Sequence, residues 1–308
     1  MELRVLRYFL AVAREESISR AAEFLHLSQP TLSRQLMELE EELGKKLFIR
    51  GRRRMTLTEE GMFLRKRAQE IVSLAERTEE AFRSTAGDIS GDVHIGGGET
   101  RAMRLVAGVA RSLRDAHPHI SYHLFSGNAS DVMERLDRGL EDFGVFIEPA
   151  DLSRYEYIRL PVTDVWGVLM RRDNPLARKA SLRPEDIVSL PLLCSRQELV
   201  ANEIAGWMGE SFERLKVVGT YNLLYNASLM VEEGMGCALC LDGIIRCDGG
   251  PLCFRPLEPR LEVGLAVAWK KYQVFSRAAE TFLEELQKRL MRGAQGMTDM
   301  PASGLLPG

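Results

Sequence analysis

The residues best suited to chemistry are a run of bases and the polar segment before it. Lys45, Lys46, Arg50, Arg52, Arg53 and Arg54 place six cations in ten positions without one acid, directly after four acids between Glu38 and Glu42. Guanidinium and ammonium groups at this density suit phosphate oxygens, although a solvated loop is the better explanation of such a cluster when it stands alone. Upstream, Ser28, Gln29, Thr31, Ser33 and Arg34, with the apolar Pro30 among them, offer hydroxyl, amide and guanidinium groups, the types that address base edges. Catalysis has no comparable foothold. His94, His117, His119 and His123 share one stretch, but no HExxH, GxSxG or phosphate-loop pattern accompanies them, so no catalytic residue, cofactor or enzymatic activity is expected. An enzyme built on a ligand-binding fold is the rival class, and it would leave the basic run without a role.

Four of the five cysteines, Cys237, Cys240, Cys247 and Cys253, invite a redox or metal sensor. Cys237 and Cys240 fall on a predicted strand, where residues three apart face opposite sides and share neither a metal nor a disulfide easily. Buried small hydrophobes describe them better, and no metal site is expected; a cysteine-based redox or metal-sensing regulator is the alternative.

Three short helices must carry the polar segment. Leu3, Leu6, Leu10 and Ala13 recur at helical spacing, and Ser17 and Ser19 offer caps for a second helix containing Ala21, Ala22 and Leu25. After the turn at His26–Ser28, Ser28 caps a third helix with Pro30 in its first turn, Leu32, Leu36, Leu39 and Leu43 as its core stripe, and Gly44 as its stop. At 100° per residue, Pro30 and Arg34 lie opposite that stripe, flanked by Thr31 and Ser33, while Gln29 falls nearer the core edge. Helix, turn and second helix with an open polar face is the layout that enters a major groove. Leu47–Arg50 and Met55–Leu57 then read as a hairpin, a wing tipped by arginines.

At this point a family is recognisable. Leu27–Leu36, Leu39–Gly44, Leu47–Phe48 and Leu57–Gly61, with Ser17 and Ala21–Ala22 upstream, closely resemble the winged helix-turn-helix of LysR-type transcriptional regulators. The resemblance implies that Gln29, Pro30, Ser33 and Arg34 lie at base edges, with the Arg50–Arg54 wing on the backbone.

From Thr58 to Thr85 the pattern is one long helix in which Leu64, Ala68, Ile71, Ala75, Thr78 and Phe82 alternate four and three apart, the seam of a two-stranded coiled coil. Leu64, Ala68, Ile71, Ala75 and Phe82 are therefore the expected dimer contacts, and the resemblance implies the same linker helix. A homodimer or homotetramer would read a roughly palindromic double-stranded promoter site, with RNA polymerase as a further partner that a regulator admits.

Beyond Ala86–Gly91 the pattern turns to strands alternating with helices, as in a mostly parallel sheet. It resembles the two-lobed, periplasmic-binding-protein-like (type 2) effector domain of the same family. The expected fold class is thus α/β with an N-terminal, all-α-type winged helix-turn-helix. The expected domains are 1–58 for DNA, 59–86 for the linker, 87–292 for the effector (lobe I 87–161 and 266–292, lobe II 162–265), and a disordered tail over 293–308. Departing from the family, the proline usual after strand Cys237–Leu241 is replaced by Asp242–Gly243. Sheet-edge placement points to Gly98, Glu99, Thr100, Arg101, Asn128 and Ser130 from one lobe and Ser195, Gln197, Tyr221 and Asn222 from the other as effector contacts. Glycines before a helix expose N–H groups, so a small anion is the first candidate ligand.

Composition agrees with these classes. The chain has 308 residues, 45% hydrophobic and 28% charged, with a net charge of -3, which excludes disordered, collagen-like and disulfide-scaffold chains. No apolar run approaches a membrane span and the N-terminus does not read as a secretory signal, so a cytoplasmic protein with no membrane partner is expected.

Overall fold

The computed structural model describes residues 1–51, 54–83, 89–196 and 198–298, of which residues 50, 77, 80–83, 198–201 and 293–298 are described by backbone alone. The chain forms two units, residues 1–83 and 84–308.

The first unit holds α1 (Leu3–Glu15), α2 (Ile18–Phe24), α3 (Gln29–Leu43), the hairpin β1 (Phe48–Arg50) and β2 (Met55–Leu57), and α4 (Glu59–Arg83). The Ser17 hydroxyl accepts the Arg20 N–H at the start of α2, and Ser28 does the same for Thr31 at the start of α3. Gly44 closes α3 at φ +63°, a conformation that penalises any Cβ. Packing follows the 3.6-residue period, with two shifts from the expected stripes. On α1 the buried face is Val5, Leu6, Phe9 and Val12, while Leu3, Leu10 and Ala13 are half-buried. On α3, Leu32, Leu36 and Leu39 are buried as expected, but Leu43 is 39% exposed and Glu40 takes the inner position.

The long helix α4 is also re-read. Leu64 and Ala68 lie in the core of their own unit together with Val72, so they are not free to pair with another chain. A strict 3.5-residue seam drifts on a straight helix, and packing against α1 captures the first half of it. Ile71 is exposed, Ala75 half-buried, and the Phe82 side chain lies outside the described residues. Among the described residues, the exposed large apolar side chains along α4 are Met62, Phe63, Ile71 and Leu74.

The second unit contains β3 (Gly91–Gly97), α5 (Met103–Ala116), β4 (Ile120–Ser126), α6 (Ala129–Asp137), β5 (Phe143–Ile147), β6 (Tyr155–Arg159), β7 (Asp164–Arg171), α7 (Pro184–Ile187), β8 (Pro191–Ser195), α8 (Glu198–Met208), β9 (Lys216–Tyr221), α9 (Leu224–Glu232), β10 (Cys237–Leu241), β11 (Leu252–Pro256), β12 (Glu262–Val263), β13 (Leu265–Lys270) and α10 (Arg277–Thr298). Two mixed sheets result. One runs β4-β3-β5-β13-β6 and the other β11-β7-β10-β8-β9, with β12 beside β7. Each has a parallel half, β4-β3-β5 in the first and β10-β8-β9 in the second, joined to an antiparallel half.

The chain passes between the sheets twice, after β6 and again at Gly264, where β13 returns to the first sheet opposite Ile147. Strands β6 and β11 carry little sequence signal, because Tyr155–Arg159 alternates weakly and Leu252–Pro256 ends in proline. The closing helix continues to Thr298, through the first part of the segment expected to be a tail; residues 299–308 lie outside the described residues. Among the described residues, no helix is long and apolar enough to cross a membrane.

Candidate functional site

Two places in the structure gather the expected residues. In the first unit, Ser28, Gln29, Pro30, Thr31 and Arg34 are exposed along the start of α3 and Ser33 is half-buried beside them, while Leu32 and Leu36 anchor the opposite face. Gln29 therefore stands on the open face rather than at the core edge, held by the Ser19 hydroxyl, which donates to its Oε1 at 3.1 Å. The Arg34 guanidinium is 3.6 Å from Glu38 one turn on; at 69% exposure this pairing orients the side chain more than it stabilises it.

The wing follows directly. β1 and β2 pair antiparallel, and the Gly51 N–H donates to the Arg54 carbonyl at 3.0 Å to close the tip. Arg54 is exposed, with Glu16 at 3.4 Å. Arg50 lies on β1 with its side chain undescribed, and Arg52 and Arg53 lie outside the described residues.

Beneath the wing, Glu40 does work that composition conceals. Its carboxylate accepts from the Leu47 and Phe48 N–H groups at 2.9 and 3.3 Å and from the Lys46 ammonium at 2.8 Å, fixing the turn from α3 into β1. Burial alone would raise its pKa, but these three donors outweigh it and hold the group below the ordinary value of 4.5. Thr58 ties the other strand, donating to the Lys46 carbonyl at 2.7 Å and accepting from the Gly61 N–H at 2.9 Å. Gly61 cannot carry a Cβ without striking the Leu47 carbonyl, which explains a glycine in the first turn of α4.

In the second unit a cleft opens at the carboxyl ends of the parallel strands. It is lined by Gly98, Glu99, Ser195, Tyr221 and Asn222 from the expected set. Four expected contacts lie elsewhere. The Thr100 hydroxyl donates to the buried Asp164 of β7, and Arg101 pairs with Asp242 at 3.2 Å. Asn128 caps α6, accepting from the Asp131 N–H at 2.9 Å and from the Ser130 hydroxyl at 2.6 Å, so both residues serve the helix start. Gln197 lies outside the described residues. The Asp242–Gly243 departure from the family pattern is what gives Arg101 its partner, with Gly243 at φ +71° against the arginine stem.

The cleft also contains side chains that sequence pattern left out, notably Glu148, Trp166, Glu203 and Leu224. Glu148 follows β5 at the sheet edge and was within reach of the strand-end rule; Glu203 sits on α8, which the sequence pattern did not mark. Glu148 accepts from Arg159 at 2.9 Å. The Tyr221 hydroxyl donates to the Leu239 carbonyl at 2.6 Å, and burial together with Cys240, Cys194 and Glu99 pushes its pKa well above the ordinary value.

The cysteines behave as small hydrophobes. Cys237 packs into one core with Cys253 and Cys240 into another across the same sheet, as opposite faces require. Burial pushes the Cys194 and Cys237 thiols up to about 11, and Cys240 higher still. On β3 and β4, Asp92, His94 and His123 stand close enough to ligate together, with Asp92 and His123 already paired at 3.2 Å and the two imidazoles stacked.

Comparison with known proteins identifies both domains. Residues 3–62 match the family model described as a bacterial regulatory helix-turn-helix protein of the lysR family, and residues 86–291 match the LysR substrate binding domain. The chain is 29% identical to the HTH-type transcriptional regulator IlvY of Escherichia coli over 82% of this chain and 86% of that one. It is also 29% identical to the Hca operon transcriptional activator HcaR of the same species, over 94% and 98%. The solved structure of full-length CbnR with its target DNA superposes with a TM-score of 0.74 at 21% identity, covering 94% of this chain and 99% of that one.

Proposed function

Because the chain belongs to the LysR family of transcriptional regulators, carrying a DNA-binding helix-turn-helix and an effector-binding domain, we propose how its own residues divide that work. The start of α3 enters a major groove, with Gln29, Pro30, Ser33 and Arg34 against base edges and Ser28 and Thr31 at the adjoining phosphates. The Arg50–Arg54 wing lies along the backbone beside it. One observation carries this reading: α3 buries Leu32, Leu36 and Leu39 while leaving its cap and first two turns open.

Two copies pair through the outward face of α4, so the promoter site is roughly palindromic. Phe63, Ile71 and Leu74, all exposed, fall within about 80° of one another on that helix and replace Leu64 and Ala68 as the contact. The protein works in the cytoplasm, as a dimer or a dimer of dimers, with RNA polymerase beside it at the promoter. The cleft between the two sheets holds the effector, and its occupancy shifts the balance of lobe arrangements that the paired units transmit to DNA.

The test is binding to duplexes selected from a random pool, measured against salt. Specific binding with a steep salt slope supports the reading. A protein that shows no sequence preference, or whose affinity is insensitive to both Arg34→Ala and Arg54→Ala, refutes it.

A further inference from the structure

The cleft has an unexpected charge. Its described lining contains three carboxylates, Glu99, Glu148 and Glu203, and no lysine or arginine. The place where an anion would be held is taken: Glu99 reaches from the loop after β3 and accepts the Leu224 N–H at the first residue of α9. An entering anion would have to displace this carboxylate from the helix N-terminus and face the other two. Glu148 is balanced by Arg159. Glu203 has no hydrogen-bond or ion-pair partner among the described residues, and burial raises its pKa, the mark of a carboxylate that lacks compensation.

Two further features point to a ligand. Trp166 is 4% exposed, and among the described residues its indole N–H has no hydrogen-bond partner, although the residue stands in the cleft wall. A buried donor left unmade is costly; the indole nitrogen is sealed from the cleft as it stands, so an acceptor on a bound molecule satisfies it when the cleft wall shifts around the ligand. Trp166 and Ser195 also form part of a second cavity, whose other walls include Ile204, Phe212, Leu215 and Val217. Glu203 and Ile204, adjacent on α8, thus face the acidic cleft and the apolar cavity respectively.

Building on the effector reading above, we infer that the cleft takes an organic cation: an amine beside Glu203, an acceptor against the Trp166 indole N–H, and an apolar body in the cavity lined by Phe212, Leu215 and Val217. An amine gains Coulomb attraction and a charge-assisted hydrogen bond where a carboxylic acid of the same shape meets repulsion. The inference replaces the anionic ligand expected from Gly98–Arg101, because the chain itself supplies the anion.

The experiment titrates the full-length protein with matched probes, 2-phenylethylamine against phenylacetate and octylamine against octanoate, with 2-phenylethanol as the neutral isostere. Isothermal calorimetry and thermal shift report binding. The amines bind more tightly than their carboxylate partners, and Glu203→Gln weakens them roughly tenfold to a hundredfold while leaving 2-phenylethanol unchanged. Glu203→Asp retains part of the amine preference, and Trp166→Phe weakens 2-phenylethanol, the probe whose hydroxyl can accept from the indole N–H. Tighter binding by the carboxylates, or amine affinity untouched by Glu203→Gln, overturns the cationic assignment and leaves the effector cleft standing. If no probe of any charge binds and native mass spectrometry of the purified protein finds no small organic mass, the effector reading falls with it.

Discussion

Glu40 offers the sharpest test of how the reading head is held together. Replacing it with alanine strands the Leu47 N–H, in a residue only 2% exposed, and the Phe48 N–H next to it. A buried donor left unpaired costs about 1–3 kcal/mol; the longer Phe48 bond adds less, and the exposed Lys46 partner contributes under about 1 kcal/mol. Glu40→Ala should therefore destabilise the first unit by about 2–4 kcal/mol. Glu40→Gln keeps an oxygen for the two N–H groups and loses only the charge, for about 1 kcal/mol. The exposed neighbour Glu41 is the control, because its removal leaves no buried donor unpaired.

The pH dependence has a definite sign. The folded carboxyl titrates below its ordinary value of 4.5, so its stabilisation is complete above that value and is lost as pH falls through the folded pKa. The gap between the wild type and Glu40→Gln should close in that window. All three tryptophans lie at 166, 207 and 269, outside the first unit, so the assay is hydrogen exchange of the Leu47 and Phe48 amides in the full chain. At 1.4 kcal/mol per factor of ten, exchange in Glu40→Ala should quicken at least tenfold over Glu41→Ala. Equal exchange in the two variants, or a Glu40→Gln gap that persists undiminished well below pH 4, would refute the reasoning.

Arg34→Ala should relax preference at one base pair by about 1–3 kcal/mol, whereas Arg54→Ala should weaken selected and random duplexes alike and lower the salt slope by about one; equal losses on both duplexes for Arg34→Ala would remove it from the base edges. Leu74→Arg should halve the native mass with little loss of fold stability, while Leu64→Ala should cost about 2–3 kcal/mol and leave the assembly intact, and the reverse pattern would restore the coiled-coil seam. Iodoacetamide at neutral pH should label Cys194 and Cys237 more slowly than free cysteine, since both thiols are raised to about 11; faster labelling would revive the thiol sensor.

The reading head was legible because its signals are local. A cap at Ser28, a proline in the first turn, leucines at helical spacing and a terminal glycine each act within a few residues, and the structure keeps nearly all of them. What failed was long-range. Glu40 belongs to a run of acids that looks solvated, and only the return of Leu47 and Phe48 to the same point makes it a buried acceptor. Leu64 and Ala68 fit a coiled-coil period as well as they fit α1, and the choice rests on a neighbour distant in sequence.

The cleft shows the same limit in its chemistry. Glu99, Thr100 and Arg101 sit where glycine-led backbone meets a helix, and such places favour negative charge whether it arrives on a ligand or on the chain itself. Here each of the three meets the other lobe: Glu99 at the Leu224 N–H, Thr100 at Asp164 and Arg101 at Asp242. Helix and strand patterns place those partners on their own elements but say nothing of their distance from the loop after β3. Of the ligand contacts that the sequence offers in this loop, Glu99, Thr100 and Arg101 therefore serve first as ties between lobes, and among these three it is Glu99 that also lines the space a ligand would fill.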